Sequence, residues 1–179
     1  GVVDGAWGRG YSIEAAAAGW IPTAIAEIQA RSDGDQLPAT GKLAGAVQTV
    51  GDVLSRLQPV DVTIVVDGVR MTGKMLLVEV LNIRSIGPNL VFSADANPSD
   101  GFFHVVLAGE ECRDTVASYL DERFEKRDHP LSLTSHRARH VTLQGATDIH
   151  VDDEVLSISP SQVVSMQIEA GVVELLCPS

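Results

Sequence analysis

The sequence predicts an α+β fold, a mostly antiparallel, sandwich-like sheet with three helices at one side. Two observations carry this. After Pro59 the apolar period switches to two, with a tight Asp67-Gly68 turn joining the strands, and the stretch from Arg139 to Pro178 reads almost wholly as short strands separated by turn residues. The apolar stripes of helical period fall outside these stretches, and there is no internal repeat or low-complexity segment.

Along the chain, "YSIEAAAAGWIPTAIAEIQA" opens as a short strand, and Pro22, placed where a first helical turn tolerates it, begins a helix carrying Ile25 and Ile28. A linker, "SDGDQLPATG", follows. From Gly41 the residues Leu43, Val47, Val50, Leu54 and Leu57 recur at helical spacing and form one stripe that must be buried. Val62, Ile64 and Val66 then alternate with polar residues, and the return strand runs from Val69 to about Leu81. Its middle, "MLLVEVL", is apolar on both faces except for Glu79, as expected of a strand covered on both sides. The interval from Asn82 to Phe102 is crowded with Gly, Pro, Asn and Asp. Phe102 to Ala108 is another strand, and Glu111 to Lys126 an amphipathic helix with Cys112, Val116, Leu120 and Phe124 on one side. The closing strands are "RHVTLQ", "DIHVD", "EVLSI", "QVVSMQIEAG" and "VVELLCP", with Gly171 marking a final hairpin.

With 179 residues the chain has the length of a single domain, read here as 1–179. Hydrophobic residues make up 45% and charged residues 21%, the balance of a folded globular chain. A formal charge of −11 without a Lys/Arg cluster argues against nucleic acid as a partner and against electrostatic docking on anionic membranes. The local basic run of His136, Arg137, Arg139 and His140 reads as a solvated strand face, with a local basic site as the alternative. Cys112 and Cys177 have neither metal-ligand spacing nor the numbers of a disulfide framework; both read as small core residues in a reducing cytoplasm. Neither a spanning apolar run nor a leader pattern is seen, so the expectation is a soluble, cytoplasmic protein.

Two acidic segments are candidates for chemistry. In "DANPSDGFF", Asp100 beside Gly101, with free backbone carbonyls around it, is the kind of oxygen-rich turn a hard cation uses; equally, Asp100 can bond the loop's own backbone. In "DIHVDDEV", an extended strand would project Asp148, His150, Asp152 and Glu154 to one face, opposite Ile149, Val151 and Val155. Crowded carboxylates raise one another's pKa, which suits a proton acceptor, while a charged face also protects a sheet edge. His129, His136, His140 and His150 have no recognised zinc spacing. No G-x-S-x-G elbow, P-loop or strand-linked G-x-G-x-x-G occurs, and "GRG" at Gly8 to Gly10 is too short to cradle phosphates.

The segment "EVLNIRSIGPNLVFSADANPSDGFFHVVL" resembles the C-terminal domain of the diacylglycerol kinase-like lipid kinases, a family that includes bacterial diacylglycerol kinases and sphingosine kinases. There a strand ending in Asn leads through a Gly-containing turn to an Asp-Gly pair and another strand. "SIEAAAAGW" is similar to the family's early strand and turn, "VDGVRMTGKMLLVEVLN" to its Asp-Gly hairpin, and "VDDEVLSISPSQVVSMQIEAGVVELLCP" to its closing run. The resemblance covers most of Tyr11 to Pro178, and its specific segments surround Asp100 and Glu154.

The resemblance implies a two-domain enzyme, with an N-terminal domain that holds ATP on a Gly-Gly-Asp-Gly-Thr loop and the catalytic magnesium, and a β-rich C-terminal domain that supplies a lipid pocket and a catalytic carboxylate. Nothing in this sequence corresponds to the first domain, so the partners implied are that domain and a lipid, with peripheral membrane contact and a homodimer also in keeping with the family. Carried over by position, the catalytic base falls on Glu154, although Asp153 stands where the family usually has Gly. A structural Mg²⁺ falls on Asp100 with the carbonyls of Asn97 and Phe102, and the pocket on Glu14, Trp20, Ile21 and Ile25 within and beside "AAAAGWIPTAIAEI". The function expected is transfer of the ATP γ-phosphate to a lipid hydroxyl, incomplete in this chain alone. The alternatives are a non-catalytic lipid-binding or interaction module of the same fold, and an NAD kinase-like protein with a nucleotide-contacting face in place of an apolar pocket.

Overall fold

The computed structural model describes residues 1–32, 39–124 and 131–171. Strands β1 (Val2–Gly5), β2 (Gly8–Tyr11) and β3 (Ala15–Gly19) lead into α1 (Trp20–Ser32) and α2 (Ala39–Arg56). Then come β4 (Val60–Val66), β5 (Val69–Leu81), the two-residue strands β6 (Ser85–Ile86) and β7 (Leu90–Val91), and β8 (Phe103–Gly109). A 3₁₀ turn precedes α3 (Arg113–Phe124), and β9 (Ser135–Ala138), β10 (His140–Gln144), β11 (Asp148–Val151), β12 (Glu154–Ser157) and β13 (Val163–Gln167) close the described chain.

Among the described residues eleven strands form one antiparallel sheet in the order β12-β11-β3-β5-β4-β10-β13-β1-β2, with β8 also on β5 and β9 on β8; β6 and β7 make a separate small hairpin. The expected α+β class, with a curled, sandwich-like sheet and three helices, is therefore the observed one. β5 is the joint of the sheet. Its first half, Val69 to Met75, pairs with β4, and its second half, Leu77 to Leu81, pairs with both β3 and β8 after an irregularity between Met75 and Leu77. From Leu76 to Leu81 every residue is buried. Leu77 and Leu81 join the core under the helices, with Trp20, Val50, Leu54 and Leu120. Val78 and Val80 point the other way, into the core enclosed by the curled sheet, with Ile64, Phe103, Leu143 and Ile149. Two cores sharing one strand follow directly from its apolar residues on both faces.

Local differences from expectation have physical reasons. α1 starts at Trp20, so Pro22 lies inside the first turn, where its missing N–H would have had no intrahelical partner. Residues 2–11 form a hairpin that sequence alone does not announce, because Val2 and Val3 are both buried rather than alternating. "DIHVDDEV" is not one strand: Asp152 takes φ +52° and turns the chain, so β11 and β12 form a hairpin and only Asp148 and His150 keep the predicted common face. Cys112 is partly buried against the helix-side core, while Cys177, His129, Lys126 and the "VVELLCP" segment lie outside the described residues.

The chain leaves β3 at Gly19 with φ +95°, and a Cβ added there would overlap the carbonyl of Leu76 on β5. Gly68, in the β4–β5 turn, has a similar φ of +87° but open space around it. Gly19→Ala is therefore expected to lower unfolding free energy by about 2 kcal/mol or more, and Gly68→Ala by only about 1 kcal/mol. Denaturant titrations of both variants check this; equal losses would show that the close approach to Leu76 does not matter.

Candidate functional site

The loop between β2 and β3, Ser12 to Glu14, is gripped from two sides together with Ala15, the first residue of β3. The Asp152 carboxylate accepts hydrogen bonds from the Ser12 hydroxyl (3.0 Å) and from the N–H groups of Ile13 (3.0 Å), Glu14 (2.9 Å) and Ala15 (3.2 Å). The Asp152 N–H in turn donates to the Ala15 carbonyl (2.8 Å). On the opposite side Asn82, at the end of β5, donates its N–H to the Glu14 carbonyl (2.8 Å) and its Nδ2 to the Ile13 carbonyl (2.9 Å). Backbone groups that no sheet ladder reaches are satisfied by two side-chain-bearing turns instead. Partial burial alone would raise the pKa of Asp152, but the three N–H groups and the Ser12 hydroxyl outweigh it and hold the carboxyl below its usual range.

Beside this loop lies a small cavity of about 40 Å³. Its walls are apolar: Ile21, Ala24, Ile25 and Ile28 of α1, Val50 of α2, and Ile86 and Leu90 of the β6–β7 hairpin. One end is polar, formed by Glu14, His150, Asp152 and Asp153. Partial burial, with the Asp152 and Asp153 charges adding to it, pushes the pKa of Glu14 up despite the opposing effect of His150. Behind the polar end His150 is 1% exposed and Glu79 is fully buried, with Nε2 of the imidazole 3.2 Å from the Glu79 carboxylate and Nδ1 2.8 Å from the Asp152 carbonyl. Burial by itself would lower the pKa of His150; the Glu79 carboxylate and the two hydrogen bonds prevail and raise it.

The residues singled out from sequence are distributed as follows. Glu14, Ile21 and Ile25 line the cavity. Trp20 does not: its indole is buried beneath, donates to the Val50 carbonyl (3.2 Å) and meets the Phe92 ring edge-on at 5.8 Å, so it is a core residue. Glu154 is exposed and pairs with Val151, which puts it on the sheet face opposite His150. There it borders an open groove with Trp7, Arg9 and Tyr11, one residue past the cavity mouth. The clamping roles of Asp152 and Asn82 escape sequence reasoning, since the groups they hold are distant in the chain; the only local signal is an Asn at a strand end and an Asp pair at a turn.

At the other predicted site, Asp100 closes an Asx turn, with Oδ1 accepting from the Phe102 N–H (2.9 Å) and its own N–H donating to the Asn97 carbonyl (3.2 Å). Oδ2 accepts from the Arg137 guanidinium at 3.0 Å, and the same guanidinium lies 4.1 Å from the centre of the Phe102 ring, with Arg139 at 4.7 Å. The buried Nε2 of His104 is 3.8 Å from Oδ2, too far for a hydrogen bond, and has no hydrogen-bond partner among the described residues. In this arrangement the residues do not fit a Mg²⁺ ion. The carboxylate oxygen it would take is already matched by a cation, and an imidazole is a poor ligand for so hard an ion. Among the described residues no group of three or more His, Cys, Asp or Glu side chains is placed to hold a metal.

Residues 24–177 match the family described as the YegS C-terminal NAD kinase beta sandwich-like domain, and the chain belongs to that family. Its fold is shared with solved structures from Bacillus anthracis str. Sterne. One is of a diacylglycerol kinase (TM-score 0.58, 12% identity, covering 96% of this chain and 57% of the other). Two others, each named a candidate diacylglycerol kinase, have TM-scores of 0.61 and 0.60, with 18% and 14% identity. They cover 93% of this chain and 54% and 53% of their own, so the chain spans little more than half the length of these structures. No curated protein matches the chain. Among the described residues no helix is long and apolar enough to cross a membrane.

Two outcomes follow. Because the pKa of Asp152 is depressed, its contribution to stability is present above about pH 4 and lost as pH falls through the lower folded value. Asp152→Asn is therefore expected to cost about 1–2 kcal/mol near neutrality and to flatten the acid limb of a stability profile; a profile parallel to wild type would contradict the clamp. At the Asp100 turn, the melting temperature is expected to be unmoved by EDTA or Mg²⁺, whereas Arg137→Ala, which frees the carboxylate, gains a Mg²⁺-dependent upward shift measurable by calorimetry. A Mg²⁺ shift of the wild-type chain would show that the ion displaces Arg137.

Proposed function

We propose that this chain is the acceptor-binding part of a lipid kinase, which receives the apolar part of a lipid alcohol in the α1 cavity and holds its hydroxyl at the polar mouth. The observation that supports it is a cavity with apolar walls and a single polar end, where Glu14, Asp152 and Asp153 stand together. Phosphoryl transfer asks a protein mainly to position groups and to take the acceptor's proton, which fits such a mouth. At about 40 Å³ the cavity holds only about three water-sized bodies, so an acyl chain enters when a wall moves. The β6–β7 hairpin is the wall suited to this, since it is separate from the main sheet. ATP and its magnesium belong to a second, nucleotide-binding domain, whose presence in the full gene product is part of this proposal.

The proton acceptor proposed is Glu154, exposed at the first position after the turn. Glu14, with its raised pKa, lies at the mouth itself and is the competing carboxylate. The experiment is phosphate transfer from ATP to a panel of lipid alcohols by the full-length gene product. Glu154→Gln is expected to lower kcat about 100-fold or more with KM for the lipid little changed, while Glu14→Gln acts mainly on KM. A loss of kcat confined to Glu14→Gln would move the base to Glu14. Absence of transfer to any lipid alcohol, with the lipids still bound, would favour a non-catalytic lipid-binding module.

A further inference from the structure

Glu79 and His150 are the two most deeply buried ionisable side chains among the described residues, and the chemistry proposed above does not use them. They meet because of the residue between them. His150 on β11 is paired with Ala17 on β3, and Ala17 is paired with Glu79 on β5, so the three side chains lie in one row on the helix-side face. Two strand spacings separate the outer backbones by roughly 9–10 Å. Only a side chain as short as a methyl group at the centre lets an imidazole and a carboxylate meet above it.

The ring is fixed at both ends. The Asp152 carbonyl can only accept, so Nδ1 carries a proton; Nε2 shares a second proton with the Glu79 carboxylate. Through that carbonyl the Asp152–Asp153 turn is tied to β5, the joint of the sheet, while the remaining polar atoms of Asp152 hold the Ser12–Ala15 loop. Stability is a poor reason for such a pair. The second oxygen of Glu79 is buried without a hydrogen-bond partner among the described residues, and buried ion pairs are often matched or bettered by apolar residues of the same volume.

We propose that His150 is a positioning residue, which, bridged by Glu79 over Ala17, holds the Asp152–Asp153 turn and thereby sets where Glu14 stands at the cavity mouth and where Glu154 stands just past it, on the other face of the sheet. The catalytic part of this inference rests on reading the mouth as the site of transfer; the positioning part is a property of the chain itself. The charged groups around the imidazole are Glu79 from β5, Asp152 and Asp153 from the turn and Glu14 from the loop before β3, while α1 and the β6–β7 hairpin present an apolar wall. Because its pKa is raised, the bridge is complete below about pH 6.5 and is lost as pH rises through the higher folded value.

The test has two readouts. In the ¹⁵N-labelled chain, long-range correlation spectra are expected to show both His150 ring nitrogens protonated at pH 6, and amide exchange at Ile13, Glu14 and Ala15 is expected to quicken at least about tenfold in His150→Gln and in Ala17→Val, each checked for retained fold. In the full-length gene product, His150→Gln is expected to lower kcat about 100-fold with KM for ATP unchanged, and to abolish the alkaline decline of kcat. Unchanged amide exchange in both variants overturns the positioning role. Quickened exchange with wild-type kcat and pH profile overturns the catalytic part. If no lipid alcohol is phosphorylated at all, the proposed function fails by itself, and the exchange data still decide whether His150 positions the turn.

Discussion

β5 must serve two layers at once, and most of the structure is arranged around that demand. A strand paired along a single edge could stay amphipathic, but the half from Leu77 to Leu81 is flanked by β3 and β8 and covered on both faces. Its N–H and C=O groups are satisfied within the sheet, and its side chains have no water to face. Helices on one side and curled strands on the other therefore divide its residues between two cores. Glu79 is the exception in this run, and its position decides where a polar group can enter the helix-side core: directly beneath the loop that opens the cavity.

The cavity mouth is in turn a consequence of chain path more than of any single motif. β3 and β5 run side by side, β11 joins β3 from the other edge, and the three connections that leave their ends carry Glu14, Asn82 and Asp152 into contact. The N–H groups of Ile13, Glu14 and Ala15 and the carbonyls of Ile13, Glu14 and Ala15 are each met by Asp152 or Asn82 from another connection. Such a convergence concentrates acidic groups where one wall is apolar, an environment in which carboxylates depart from their ordinary pKa in opposite directions: Asp152 down, Glu14 up.

The parts of this arrangement legible in sequence are those with a local period. The alternation of Val62, Ile64 and Val66, the Asp67-Gly68 turn, the stripe of Val47, Val50 and Leu54, and the two-sided apolar run of β5 each need only a few neighbouring residues to be read. The resemblance to lipid kinases added the family. What stays hidden is set by partners far along the chain. Asp152 looks like one more charge on a strand until its positive φ breaks that strand, and Trp20 looks like a pocket residue until the helix it begins is seen to turn it inward. Arg137 likewise reads as a solvated basic face, although its guanidinium is aimed at Asp100, whose charge it balances.

Ala15 to Ala18 offer the neighbouring strands the same methyl group four times. Shape alone would hardly distinguish the observed pairing from one slipped by two residues, since the apolar fit would be nearly as good. The error is excluded at the margins of the strand: a slip would drive a Cβ-bearing residue into the place of Gly19 and would pull the backbone amides of Ile13, Glu14 and Ala15 out of reach of Asp152. A segment almost without side-chain information thus borrows its alignment from polar contacts beyond its ends, and a folding chain that closes β3 before those contacts form has a misaligned, kinetically trapped sheet as its natural failure.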